Sequence, residues 1–184
     1  MCVNNSAAAL RPNIWTHVDP CYKFHHSIWR DPAIMKIMPA KFFGHKMRQK
    51  KTDGHFELTD HFCKHMPNVF GYQRNARFSP ETYMTEDTIN WGNSARSIKP
   101  PVGTDPNGNT HPQVLNVMFV ALRLPFLLGF RKLYLVGCDF RMTSAGVYGF
   151  DEGKKDEGAF NSNNSAYIKV NHMVNMLVPH FKRH

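Results

Sequence analysis

Between residues 113 and 140 the hydrophobic period of the chain changes. Val114, Leu115, Val117, Met118, Val120, Ala121, Leu122, Leu124, Phe126 and Leu127 are apolar almost all round a helical wheel, which predicts a buried helix. Pro125 stands inside it as a kink point, and Gly129 offers a C-terminal stop. Past Arg131-Lys132 the spacing tightens. Leu133-Tyr134-Leu135-Val136-Gly137 is apolar at successive positions. That predicts a strand over 133–137 covered on both faces, as in a parallel sheet between helices.

The same signals recur elsewhere more briefly. Ala7 to Leu10 predicts a short helix closed by Arg11-Pro12, and Ile14 to Val18 a strand ended by Asp19-Pro20. Tyr22, Phe24, Ile28 and Trp29 have the spacing of a short helix. Asp31-Pro32 puts an acidic cap and a proline at a helix start. Ile34 to Met38 is apolar up to Pro39, and Val69 to Tyr72 predicts a strand. Asn161 to Asn164 caps a last helix whose apolar face is Ile168, Val170, Met173, Val174, Met176 and Leu177. Residues 90–112 are rich in Gly, Asn, Ser and Pro and read as one long loop, the kind that serves as a lid or binding loop. Helix and strand in alternation predict an α/β fold with a mostly parallel sheet, helices on both faces and three layers. Residues 1–184 read as one domain.

Composition narrows the function classes. No apolar run approaches the roughly 20 residues of a membrane span, and Met1-Cys2-Val3-Asn4-Asn5 lacks the basic start and apolar centre of a signal peptide. Cysteines at 2, 21, 63 and 138 form no CxxC pair, which suits reduced thiols and a cytoplasmic location. The net charge of +9 favours anionic partners. Lys46, Arg48, Lys50 and Lys51 lie in a solvated basic stretch. They belong to no recognisable nucleic-acid module, so nucleic acid is not an expected partner.

A polar residue at the end of a parallel strand sits where open α/β sheets bind ligands, so Gly137, Asp139 and their neighbours are the first site candidates. Trp15 and Trp29 suit core packing, while Trp91, in the polar loop, suits ligand contact. His61, Cys63 and His65, with His55 nearby, are metal-ligand types, but ordinary surface or packing roles are the stronger reading and no metal is expected. His17, His172 and His180 are candidate bases, although a lone histidine is more often structural.

The run Leu128-Gly129-Phe130-Arg131-Lys132-Leu133-Tyr134-Leu135-Val136-Gly137-Cys138-Asp139-Phe140, with Val147-Tyr148-Gly149-Phe150-Asp151 downstream, resembles two related groups. One is the bacterial sialyltransferases of glycosyltransferase family 42. The other is the motility-accessory-factor-like family with its pyrophosphokinase relatives. Cys2 to Asn5 and Trp15 to Asp19 resemble the second and third strands of the same sheet. The resemblance implies a Rossmann-like fold that binds CMP or a CMP-sugar at the carboxyl ends of its strands, with a nucleotide sugar and a glycan acceptor as partners and no required cofactor. By position, Asn4 and Asp19 would contact the nucleotide, and Gly137, Cys138, Asp139 and Phe140 would line it. Tyr148 would hold the leaving phosphate. Arg141, at the place of a second phosphate-binding tyrosine, would do the same.

The departures are equally specific. The G-x-G-P-S-L loop that opens these families has no counterpart here, and neither has their closing C-x-P-x-S segment. On this pattern the chain reads as the middle of a larger domain, truncated at both ends. Their base histidine falls near Ser162. A non-catalytic nucleotide-binding or remnant domain, and a pyrophosphokinase-like enzyme, therefore stand beside the glycosyltransferase-like reading. The oligomeric state is open.

Overall fold

The computed structural model describes residues 1–50, 56–75, 82–85, 89–90, 116–138, 141 and 157–183. They fall into two compact units, Met1–Arg74 and Asn75–His184.

In the first unit, β1 (Cys2–Val3), β2 (Ile14–Thr16), β3 (Met35–Pro39) and β6 (Val69–Tyr72) form one sheet in the order β1-β2-β3-β6, every pair parallel. The fold is thus α/β with a four-stranded parallel sheet. Between β1 and β2 lies α1 (Ser6–Leu10), which ends where Arg11 takes a left-handed backbone. Between β2 and β3 lie a 3₁₀ turn at Cys21–Lys23 and α2 (His26–Arg30). A hairpin separates β3 from β6, built from β4 (Lys46–Lys50) and antiparallel β5 (Phe56–Phe62). The basic stretch read as merely solvated is half of that hairpin, with Met47 turned into the core.

Asp31-Pro32 does not start a helix. The Asp31 side chain accepts from the Ala33 amide at 2.9 Å, an Asx turn, and the chain goes straight into β3. The physical reason is the pairing on both sides: Ile37 sits between Thr16 and Phe70, so two ladders hold the segment extended against a local cap signal.

The core of this unit is aromatic. Trp15 meets Phe24 and Trp29 edge-on, with centroids 5.3 and 4.8 Å apart, and Ile28, Ile34, Met38, Phe42 and Met47 close round them. Gly71 leaves room for the Phe43 ring: a Cβ there would lie 2.5 Å from the tip of that ring, which would have to shift. At the amino end of β3 the ammonium of Lys36, wholly buried, donates to the carbonyls of Asp31, Ile34 and Pro67 at 2.5, 2.9 and 2.9 Å. Burial pulls its pKa down to about 8, partly offset by the Asp31 carboxylate, so the charge persists at neutral pH.

Two strands of two residues follow, β7 (Arg74–Asn75) and β8 (Ile89–Asn90). In the second unit α3 (Val117–Leu127) is the expected buried helix. Asn116 caps it by accepting from the Met118 amide at 2.8 Å. Its end is a Schellman motif: Gly129, at φ 90°, donates to Phe126, and Phe130 donates to Pro125. The last helix, α4 (Glu157–Arg183), starts before Asn161–Asn164 and runs through them, so they are not its cap. Packing further along holds it: Val170, Met173 and Leu177 close on Tyr83, Phe119 and Leu122. Ile168, expected on that face, is exposed.

The expected strand over 133–137 is not formed. Residues 130–136 carry neither helix nor strand, and Leu133, Tyr134, Leu135 and Val136 are all exposed, Val136 to 90%. An apolar run becomes a strand only where another strand offers its N–H and C=O groups, and among the described residues none pairs with this one. The long loop assigned to 90–112 lies, apart from Asn90, outside the described residues.

Candidate functional site

Four parallel strands end on one edge of the first unit, and the chain turns there from strand to helix or loop. β1 runs into Asn4, whose φ of 51° is the left-handed region that asparagine tolerates better than most residues. That turn is fixed from β2: the Asn4 amide donates to the Thr16 carbonyl at 3.2 Å, and the Trp15 indole donates to the Asn4 carbonyl at 2.7 Å. The side-chain Oδ1 of Asn4 is buried with no hydrogen-bond partner among the described residues. Asn5 beside it accepts from the His25 amide and donates to the Lys23 carbonyl.

β2 runs into His17, Val18 and Asp19. His17 is fully buried, its ring 4.7 Å from Trp15 and 4.6 Å from Phe24. Its Nδ1 lies 2.7 Å from the Asp19 carbonyl, which has no proton to give, so Nδ1 carries the hydrogen and Nε2 the lone pair. Nε2 has no partner among the described residues. Burial drives the His17 pKa down to about 3, with the Asp19 bond pulling the other way. A ring that refuses a proton until pH 3 is a poor general base at neutral pH. His17 is a post that positions Asp19. The Asp19 carboxylate is half-exposed at the edge and pairs with Lys23 at 3.3 Å.

β6 closes the edge. The Tyr72 hydroxyl donates to the His17 carbonyl at 3.2 Å, and burial pushes its pKa up, with the Thr16 hydroxyl opposing. Two residues on, the Arg74 guanidinium donates to the Val18 carbonyl at 3.4 Å and lies over the Phe42 ring at 5.5 Å. Burial lowers its pKa to about 10, which leaves it cationic at neutral pH. The edge therefore combines two acceptors, an unsatisfied amide oxygen and a carboxylate, with a half-buried cation: acceptors suit ligand hydroxyls and the cation suits a phosphate.

Two of the residues expected to contact ligand, Asn4 and Asp19, come from adjacent strand ends of this one edge. Gly137, Cys138 and Arg141 belong to the second unit. Gly137 has a left-handed φ of 70°, the Cys138 thiol bonds the Val136 carbonyl, and Arg141 is exposed. Asp139, Phe140 and Tyr148 lie outside the described residues. Tyr72 and Arg74 were not anticipated as site residues. Their signal is a strand-ending tyrosine followed by an arginine two positions later, the same logic that selected Asp139.

His61 and His65 are exposed and Cys63 is buried, and the described residues contain no group of three or more metal-ligating side chains. Among the described residues no helix is long and apolar enough to cross a membrane. No family model, curated protein or solved structure matches this chain.

Proposed function

We propose that the carboxyl edge of the β1-β2-β3-β6 sheet is the nucleotide crevice of a three-layer, Rossmann-like domain, and that the chain is a glycosyltransferase-like protein taking CMP or a CMP-sugar there. The carrying observation is Asn4. It occupies the left-handed turn after β1 with a buried, unpartnered Oδ1, next to Asp19 at the end of the neighbouring strand. Asp19 would accept from ribose hydroxyls, the Asn4 amide group would read the base or ribose, and Arg74 would neutralise phosphate. By the resemblance, Arg141 and Tyr148 would hold the leaving phosphate, with a glycan as acceptor.

A second reading, a binding module without transfer, is favoured by one observation: Leu133–Gly137 carries no strand, so Gly137 and Cys138 are not held at a strand end.

Titrating CMP, CMP-sugar and ATP with magnesium against thermal stability tests these readings. Ligand at 100 times its Kd stabilises by about 2.7 kcal/mol. The expected result is an upward shift with cytidine nucleotides that is lost in Asp19→Ala and Asn4→Ala. CMP release from CMP-sugar in the presence of a glycan separates the transferase from the binding module. A shift with ATP and magnesium alone points to pyrophosphoryl transfer. No shift with any nucleotide overturns the crevice.

A further inference from the structure

We propose that Cys21 and Cys63 form a dithiol site that closes to an intramolecular disulfide under an oxidising thiol poise. The two residues are far apart in sequence yet both have no exposed surface and belong to one core cluster. Cys63 is the neighbour that acts most strongly on the Cys21 thiol. They also grip one short turn from two sides. The Cys21 thiol donates to the Phe42 carbonyl at 3.7 Å, while the backbone amide of Cys63 donates to the His45 carbonyl at 3.0 Å and that of Lys64 to Phe43. Cys21 opens the 3₁₀ turn after β2, and Cys63 follows β5 directly, so each sulfur is carried by ordered backbone on both sides. None of the four cysteines is in a disulfide, and Cys2 is only partly buried where it packs against the cluster that holds Cys21 and Cys63.

The co-reactant is a small-molecule disulfide of the oxidised glutathione class. One cysteine thiolate attacks it, forming a mixed disulfide and releasing one small thiolate. The second cysteine thiolate then attacks the protein-bound sulfur, forming the Cys21–Cys63 bond and releasing the other. The two protons lost by the cysteines pass to the two released thiolates, so the protein pair is oxidised by two electrons and the small disulfide is reduced by two. The neighbouring Cys63, together with burial, pushes the Cys21 thiol above its ordinary pKa. Closure therefore proceeds during folding or through opened states and not by attack on the closed core. Phe42, in the turn held between the two cysteines, stacks on His17 and lies under Arg74, so the link would also brace the crevice from below.

The test refolds the reduced full-length chain in a mixture of oxidised and reduced glutathione, then counts thiols after denaturation and maps non-reduced peptides by mass spectrometry. Two of four thiols should disappear into one fragment joining residues 21 and 63. The linked form should melt roughly 10 °C higher, as expected for closing a loop of about 40 residues, and dithiothreitol should reverse this. The Cys2→Ser, Cys138→Ser double variant touches neither buried thiol and should keep the link, while Cys63→Ala should lose it. Four titratable thiols after refolding, a glutathione adduct that never resolves, or a link through Cys2 or Cys138 overturns the proposal.

Discussion

The strand β2 and the run Leu133–Val136 are equally apolar, yet only β2 pairs. Ile14, Trp15 and Thr16 lie between β1 and β3 with ladder partners on both sides, and Trp15 and Thr16 have no exposed surface. Leu133 to Val136 have no partner among the described residues and stand open to water. The difference is not in the residues themselves. A strand is a property of two or more segments: side-chain composition permits it, and a neighbour's N–H and C=O groups make it. The same contrast separates the two kinds of site residue, since Asn4 and Asp19 end strands that exist and Gly137 ends one that does not.

The sharpest way to break this comparison is to truncate one side chain from each region. Trp15→Ala removes the indole that packs edge-on to Phe24 and Trp29 and donates to Asn4. It should cost about 4 kcal/mol and unfold much of the protein near 37 °C. Tyr134→Ala, at 84% exposure, should change denaturant midpoints by no more than about 0.5 kcal/mol. Equal costs would mean that the run 133–136 is packed in solution and that the contrast is false.

The pH dependence should come chiefly from the first unit. In the unfolded chain His17 takes up a proton below pH 6.5, whereas the buried ring does so only at about 3. The unfolded state binds more protons throughout that window. Stability is therefore complete above pH 6.5 and falls as the pH drops, by about 1.4 kcal/mol per unit from this residue. Urea midpoints followed from pH 7 to 4.5 should fall more steeply in the natural protein than in His17→Phe, by about 3 kcal/mol over that range. Parallel slopes would show that His17 is not buried as the structure has it.

How much of this was legible in the sequence follows the same line. Elements whose signal is local were read directly: α1 with its stop at Arg11, β2, although it ends at Thr16 and not at Val18, β6, and α3 with its Gly129 terminus. Elements whose signal is a partnership were not. The hairpin β4–β5 hides in a charged stretch because, among its described side chains, only Met47 is fully buried, and the Asp31-Pro32 cap signal lost to two ladders that no window of sequence displays. For the site, Asn4 and Asp19 were reached through strand ends. Arg74 was missed because its importance depends on β6 lying parallel to β3, a fact about register and not about composition.

The smallest effect sharpens the comparison most. Val136 is 90% exposed beside Leu135 and Tyr134, a contiguous apolar edge on a segment without a ladder. Such a run is a template for pairing with another copy of itself, and a single charge is the usual way natural proteins block this. Val136→Lys should leave the unfolding midpoint within about 0.5 kcal/mol of the natural protein. It should also slow aggregation, read by light scattering during incubation at 37 °C, because nothing folded is lost while an edge is charged. If the same substitution destabilised the protein by 2 kcal/mol or more, about the cost expected of a buried position, residue 136 would have to occupy a covered strand after all. Gly137, Cys138 and Asp139 would then return to a strand end, and the two regions compared here would differ only in how their ladders were found.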